Sequence, residues 1–583
     1  MDPSTEMVAV IMYPSALEAK YIETNKKADV SIPWSDSLTN PKNRIDSLSP
    51  MKHPKWRIDG GEVDGTRYFA LPSFTLRKPP LRIDTYIPDT SLYSESLRAI
   101  MQPQSTMFTS SSRISFLPIS NYVLRALEIW SNRQPDLESV YMNMPFGSRI
   151  IFDTITSDIR TLDIHILPNF DIERRWLSVK TLQDLWNLPY SSWPAQIDLE
   201  ELELIQQPHE AISIVEIPKT HGATPFVFKS VLRDIEYFYH ELKILLTLEP
   251  HRNIISRPSY VVTKRCRFGG KIGVCGFILQ YHRSGTLQNA LLHLPKDLDV
   301  RLKTQLRWAK QLTSAIQHIH ESPIKFYSNL KLINVVMRAT NTGTDSDAIL
   351  IDFEQRNGHF SWSAPEIHYI HYLEHLATFS ASSETRSRYT GMLQIYIPSW
   401  KPLNSKTRYN NPEHGFSFPW LVLTEEEQES AQVFMLGKLL WCIFEGASGI
   451  SSAITVETFR EEPCEIMFPT FSRTPPSLRG FIRRCTAGAP EWEGRWPGVA
   501  RRGNKLYPLG KTGVGGGPLG TLKETQEAAK RWWSNEIKAA EKFLDARSRL
   551  KLGIPMEEGS LKTVGFMEQR PTLMQVKAAL DGV

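Results

Sequence analysis

Two stretches, Tyr327-Ser328-Asn329-Leu330-Lys331-Leu332-Ile333-Asn334 and Leu350-Ile351-Asp352-Phe353-Glu354, decide how this chain is read. The first is a loop in which two amides and a lysine stand among aliphatic residues. The second is an apolar strand that turns at a carboxylate. Working upstream, Phe226-Val227-Phe228-Lys229 reads as a strand ending near a lysine, and Glu241, twelve residues later, opens ELKILLTLEPHRNII within a stretch whose expected helix runs from Asp234 to Leu248. Gly276-Phe277-Ile278-Leu279-Gln280-Tyr281-His282-Arg283-Ser284-Gly285-Thr286-Leu287 leads from a strand into a turn, and a long helix occupies roughly Asp299 to His320. Downstream stand Ala364-Pro365-Glu366, the apolar helix Val433 to Trp441, and Arg570-Pro571-Thr572 before the last helix.

Phosphoryl transfer requires a cation on the nucleotide phosphates, oxygen ligands for magnesium and a carboxylate facing the attacking hydroxyl. Candidates for the first two occur in order over about 140 residues, and the set resembles the protein kinases. In that resemblance Lys229 is the phosphate-binding lysine and Glu241 its ion-pair partner. Leu279 falls at the gatekeeper position, and Gln280, Tyr281 and His282 offer backbone to an adenine. Asn329 occupies the catalytic-aspartate position, Lys331 would stabilise the transferred phosphoryl, and Asn334 with Asp352 would hold magnesium. The implied cofactors are ATP and Mg2+, and Arg570 is implied to pair with Glu366. The implied fold is α+β: a two-lobed kinase-like body at 200–583, preceded by an extension. Its N-lobe spans about 200–281 and its C-lobe about 282–583, with insertions near 367–428 and 487–565. The variants YSNL, LIDFEQR and WSAPE also resemble a divergent group of kinase-like proteins from filamentous fungi. Only that narrower resemblance reaches residues 1–199, read as a partly ordered arm (1–95) and a small α/β extension (96–199).

Several positions depart from the kinase pattern. An amide at Asn329 can hydrogen-bond a hydroxyl but cannot accept its proton at neutral pH, and general-base catalysis is worth roughly 10²–10⁴-fold. Tyr327 and Ser328 replace the histidine and arginine of the catalytic loop, so the cation that would dock a phosphorylated segment is missing. Only Ser361 and Ser363 supply hydroxyls between Asp352 and Glu366. Gly222 is the sole glycine between Leu202 and Val227, where a phosphate-covering turn uses several. Glu210 there is expected to repel phosphate. Glu354 replaces a glycine and adds a third negative charge near the metal. Gln432, in place of an aspartate, is expected to hydrogen-bond the catalytic-loop backbone. The leading expectation is a pseudokinase, a binding or scaffolding module that holds ATP–Mg without efficient phosphotransfer. An active Ser/Thr-type kinase with an unconventional base, and a nucleotide-free scaffold, are the alternatives.

A net charge of +5 over 583 residues is too small to imply a nucleic-acid partner. The longest apolar stretch, Val433 to Phe444, is shorter than a bilayer requires and is broken by Gly437 and Lys438, so no membrane partner is expected. Five scattered cysteines without a CxxC pair, and no secretory leader, suggest an intracellular setting, cytoplasmic or nuclear. A scaffolding role implies a protein partner, whose identity the sequence does not state. Gly510-Lys511-Thr512 lacks the earlier glycine of a P-loop and reads as a loop, as does the basic cluster Arg495, Arg501, Arg502, Lys505 and Lys511. Trp176, Trp186 and Trp193 read as one packed aromatic cluster. Thr521 to Glu524 reads as a capping box opening a helix to about Arg549, and both insertions read as solvated embellishments.

Overall fold

The computed structural model describes residues 53–61, 67–74, 83–86, 118–152, 159–218, 224–267, 269–340, 346–358, 361–402, 409–412, 415–450, 468–495, 499–502, 505–508, 521–555 and 564–583. Gly222, Cys464 and the loop at 509–520 fall outside this set.

The architecture is mixed α+β. Strands β1 (Trp56–Gly61), β2 (Arg67–Pro72), β3 (Asp84–Tyr86), β4 (Arg149–Phe152) and β5 (Ile164–Leu167) form one sheet in that order. β3 pairs parallel with β4, so strands from either side of residue 95 share a sheet. Helix α1 (Pro118–Asn132) covers it. Tyr122, Val123, Ala126, Leu127 and Trp130 recur at helical spacing and are buried, and the Trp56 indole donates to Ser131 Oγ at 2.7 Å. A 3₁₀ turn at Ile159–Thr161 precedes β5.

A second sheet carries the candidate residues. Its strands are β6 (Ala195–Asp198), β7 (Glu203–His209), β8 (Ile212–Glu216), β9 (Phe226–Ser230), β10 (Tyr260–Arg265) and β11 (Ile272–Gln280), in the order β6-β10-β11-β9-β8-β7. β6 joins parallel to β10 and the other pairings are antiparallel. β7 and β8 form a hairpin, turned at Glu210 and Ala211. β11 is buried from Gly273 to Leu279 because it lies inside the sheet, which is why it reads as a continuous apolar run. Helix α2 (Ile235–Thr247) buries Ile235, Phe238, Tyr239, Leu242, Leu245 and Leu246 on one stripe.

The remainder is mainly helical. Helix α3 (Leu298–Glu321) is followed by the hairpin β12 (Val335–Ala339) and β13 (Ser346–Leu350), then by α4 (Pro365–Phe379) and α5 (Glu425–Glu445). α5 opens with a capping box at Thr424 and Glu427 and closes at left-handed Gly446, leaving Ala431 to Glu445 buried. Helices α6 (Leu522–Lys551) and α7 (Leu573–Asp581) complete it.

The described parts of the insertions are packed, contrary to their expected solvation. Trp533 of α6 stands edge-on to Tyr372 at 5.0 Å, and Phe543 lies 5.6 Å from Tyr369. Tyr409 accepts a 2.7 Å hydrogen bond from the Trp186 indole and packs 5.4 Å from Tyr239. The tryptophans fall into two groups: Trp186 stacks on Trp193 at 5.3 Å, while Trp176 packs against Phe146. Burying apolar stripes against one another outweighs leaving these segments in solvent. Among the described residues no helix is long and apolar enough to cross a membrane.

Candidate functional site

β9 and α2 bring Lys229 and Glu241 together, and the turn after β13 brings Asp352 and Glu354 to the same point. The Lys229 ammonium lies 2.6 Å from Glu241, 2.7 Å from Asp352 and 3.2 Å from Glu354. These three carboxyl groups lie within 4.8 Å of one another, with the ammonium among them. Burial by itself would lower the Lys229 pKa, but the fields of Asp352, Glu241 and Glu354 hold it well above its ordinary value. Burial pushes Glu241 up to about 8, with Lys229 opposing and the neighbouring carboxylates adding to the rise. Burial works the same way on Glu354, yet Lys229 and Arg356 hold it down to about 2.

The loop supplies donors to Asp352. Asn329 Nδ2 donates to Asp352 Oδ2 at 2.5 Å, and Asn334 Nδ2 donates to the same oxygen at 3.2 Å and to the Asn329 carbonyl at 2.9 Å. Asp352 adopts a left-handed backbone (φ 66°), a conformation that Asp tolerates better than most residues. Gln432 accepts from the Tyr327 amide at 3.1 Å and donates to the Lys325 carbonyl at 3.1 Å, the backbone contact expected of it. The Tyr327 hydroxyl donates to the Ile351 carbonyl.

Three consecutive side chains then tie the segment after Asp352 to β9, to α2 and to the start of α2. Glu354 reaches Lys229, Gln355 Oε1 accepts from His240 Nε2 at 2.9 Å, and Arg356 donates to Asp234 at 2.8 Å. The Phe353 amide also donates to Glu241 at 3.0 Å. Sequence reasoning missed this clamp. Its one visible signal was a carboxylate at 354 two residues before a cation at 356.

Other expected residues lie outside the cluster. Lys331 is half-buried and makes no hydrogen bond or ion pair with it among the described residues. Gln280 ends β11, and the side chains of Gln280 and His282 line a cavity of about 250 Å³ with Leu248, Ile255, Arg257 and Ile349. Burial, and then Arg338, lower the His282 pKa. Tyr281 is half-buried.

The extension grips the β7–β8 hairpin. Asp59 Oδ2 accepts from the Gln207 amide at 2.9 Å, and a Cβ on Gly60 would stand 2.5 Å from the Pro208 carbonyl, so only glycine permits that approach. Glu210, expected to repel phosphate, is instead paired with Arg67 at 3.1 Å and Arg233 at 3.2 Å. Arg495 of the basic cluster pairs with Glu493 at 2.8 Å and lies 3.8 Å from Glu536; the other four side chains lie outside the described residues.

Magnesium favours several oxygens in near-octahedral array. Both oxygens of Asp352 already accept N–H donors, and Asn334 must turn its nitrogen, not its oxygen, toward two neighbouring acceptors. This arrangement does not fit an ion shared by Asn334 and Asp352. No family model matches the chain, and no curated protein matches it either.

Proposed function

We propose that this chain is a protein-kinase-like, two-lobed protein that acts as a pseudokinase, a binding or scaffolding module without phosphotransfer. The antiparallel order β7-β8-β9-β11-β10, the Lys229–Glu241 pair and the bidentate Glu366–Arg570 pair support the kinase-like part of the reading. The observation that carries the loss of catalysis is the Asn329 amide, which donates to Asp352 at 2.5 Å. A donor stands where a general base would be needed, and the carboxylate it engages is also committed to Lys229. The protein's own ammonium and amides thus balance the charges that nucleotide and metal would otherwise balance.

The test is phosphate transfer from γ-labelled ATP, with magnesium, to generic protein substrates. Turnover is expected to be negligible. A rate of about 1 s⁻¹, the low end for kinases, that disappears in Asp352→Ala would establish the active-kinase alternative instead.

A further inference from the structure

Glu354 is the feature of the cluster that charge balance least requires. Lys229 already has Glu241 and Asp352 within 2.7 Å, and an ammonium offers three N–H donors. Glu354 approaches as the third acceptor at 3.2 Å and is fixed from its other oxygen by Arg356 Nε at 2.6 Å. Arg356 is held in turn by Asp234 at 2.8 Å and lies 4.7 Å over the Tyr237 ring. The Lys229 side chain is 6% exposed and Glu354 only 15%, so these contacts are made largely out of water. The left-handed positions in this turn are Asp352 and Gln355 (φ 66° and 48°), so residue 354 itself carries a side chain without backbone strain.

We propose that Glu354 sets the ligand class of this cleft: pinned by Arg356, its carboxylate takes the last donor of Lys229 and excludes polyphosphates. A phosphate oxygen reaching Lys229 must displace a carboxylate or lie against three of them where water screens poorly, and either is costly. Uncharged ligands meet no such barrier. The inference rests on the kinase-like reading of Lys229 as a phosphate contact, but it concerns binding, not turnover.

The experiment uses the full chain and measures ATP and adenosine by calorimetric titration, with phosphate transfer recorded separately. The wild type should bind ATP no more tightly than adenosine. Glu354→Gln keeps the volume and removes the charge. It should tighten ATP binding by at least about tenfold and leave adenosine unchanged. Glu354→Gly, checked for native circular dichroism, should behave alike. Wild-type protein that prefers ATP over adenosine tenfold or more overturns the proposal, whether or not the variants fold. So do folded variants with no gain in ATP binding. A tenfold wild-type preference for ATP without turnover sinks only this inference, whereas turnover sinks the pseudokinase reading.

Discussion

Glu366→Gln tests the tie between the two ends of the helical part of the chain. Glu366 and Arg570 are 204 positions apart, yet their side chains meet at 2.5 and 3.1 Å with no solvent exposure on either. Arg570 also donates to the Ala487 carbonyl at 3.0 Å and to Ser430, and its guanidinium lies 4.7 Å over Phe434. Removing one partner of a buried pair strands the other charge, a loss of about 3–5 kcal/mol. Glutamine retains one acceptor for Arg570, so the lower end, about 3 kcal/mol, is expected. Glu366→Leu combined with Arg570→Met leaves no stranded charge and should recover at least about 1–2 kcal/mol of the summed single losses. Urea unfolding followed by tryptophan emission reports the loss, because Trp420 and Trp441 of this region are among the fully buried tryptophans. An unchanged midpoint in Glu366→Gln, or strictly additive single and double variants, would refute the reasoning. Arg495 is not a substitute partner, since it faces Glu493 and Glu536.

Glu536 of α6 gives a pH signature. Burial raises its pKa to about 7, with Arg495 opposing and Glu491 adding to the rise. A carboxyl whose folded pKa exceeds its unfolded value of about 4.5 favours folding most below that value, and its contribution is lost as pH climbs through about 7. Glu536→Gln should therefore stabilise the protein at pH 8 by on the order of 2–3 kcal/mol and have little effect at pH 4.5. Equal melting shifts at both values would contradict the burial argument. Asp59→Asn should loosen the extension's hold on the β7–β8 hairpin by about 1–2 kcal/mol, seen as faster hydrogen exchange over 203–216. Unchanged exchange there would mean that the Asp59 carboxylate contributes nothing to holding the hairpin.

Local order was legible without any structure. The apolar stripe of α2, the capping box of α6 and the strand through Lys229 all follow from short-range rules that neighbouring residues state among themselves. Lys229, Glu241, Asn329, Asn334 and Asp352 could be picked out as candidates, and the structure places them in contact. The partners of charges were not legible. Glu210 read as a free anion, but Arg67 of a different sheet neutralises it. Glu354 read as a charge near a metal, but it lies on Lys229 under the control of Arg356. The insertions read as solvated, while the stripe carrying Trp533 and Phe543 found a face on α4. A charge or an apolar stripe declares its need in the sequence. Which distant group meets that need is decided only when the chain closes on itself, because both Coulombic attraction and burial act through space and are indifferent to separation along the backbone.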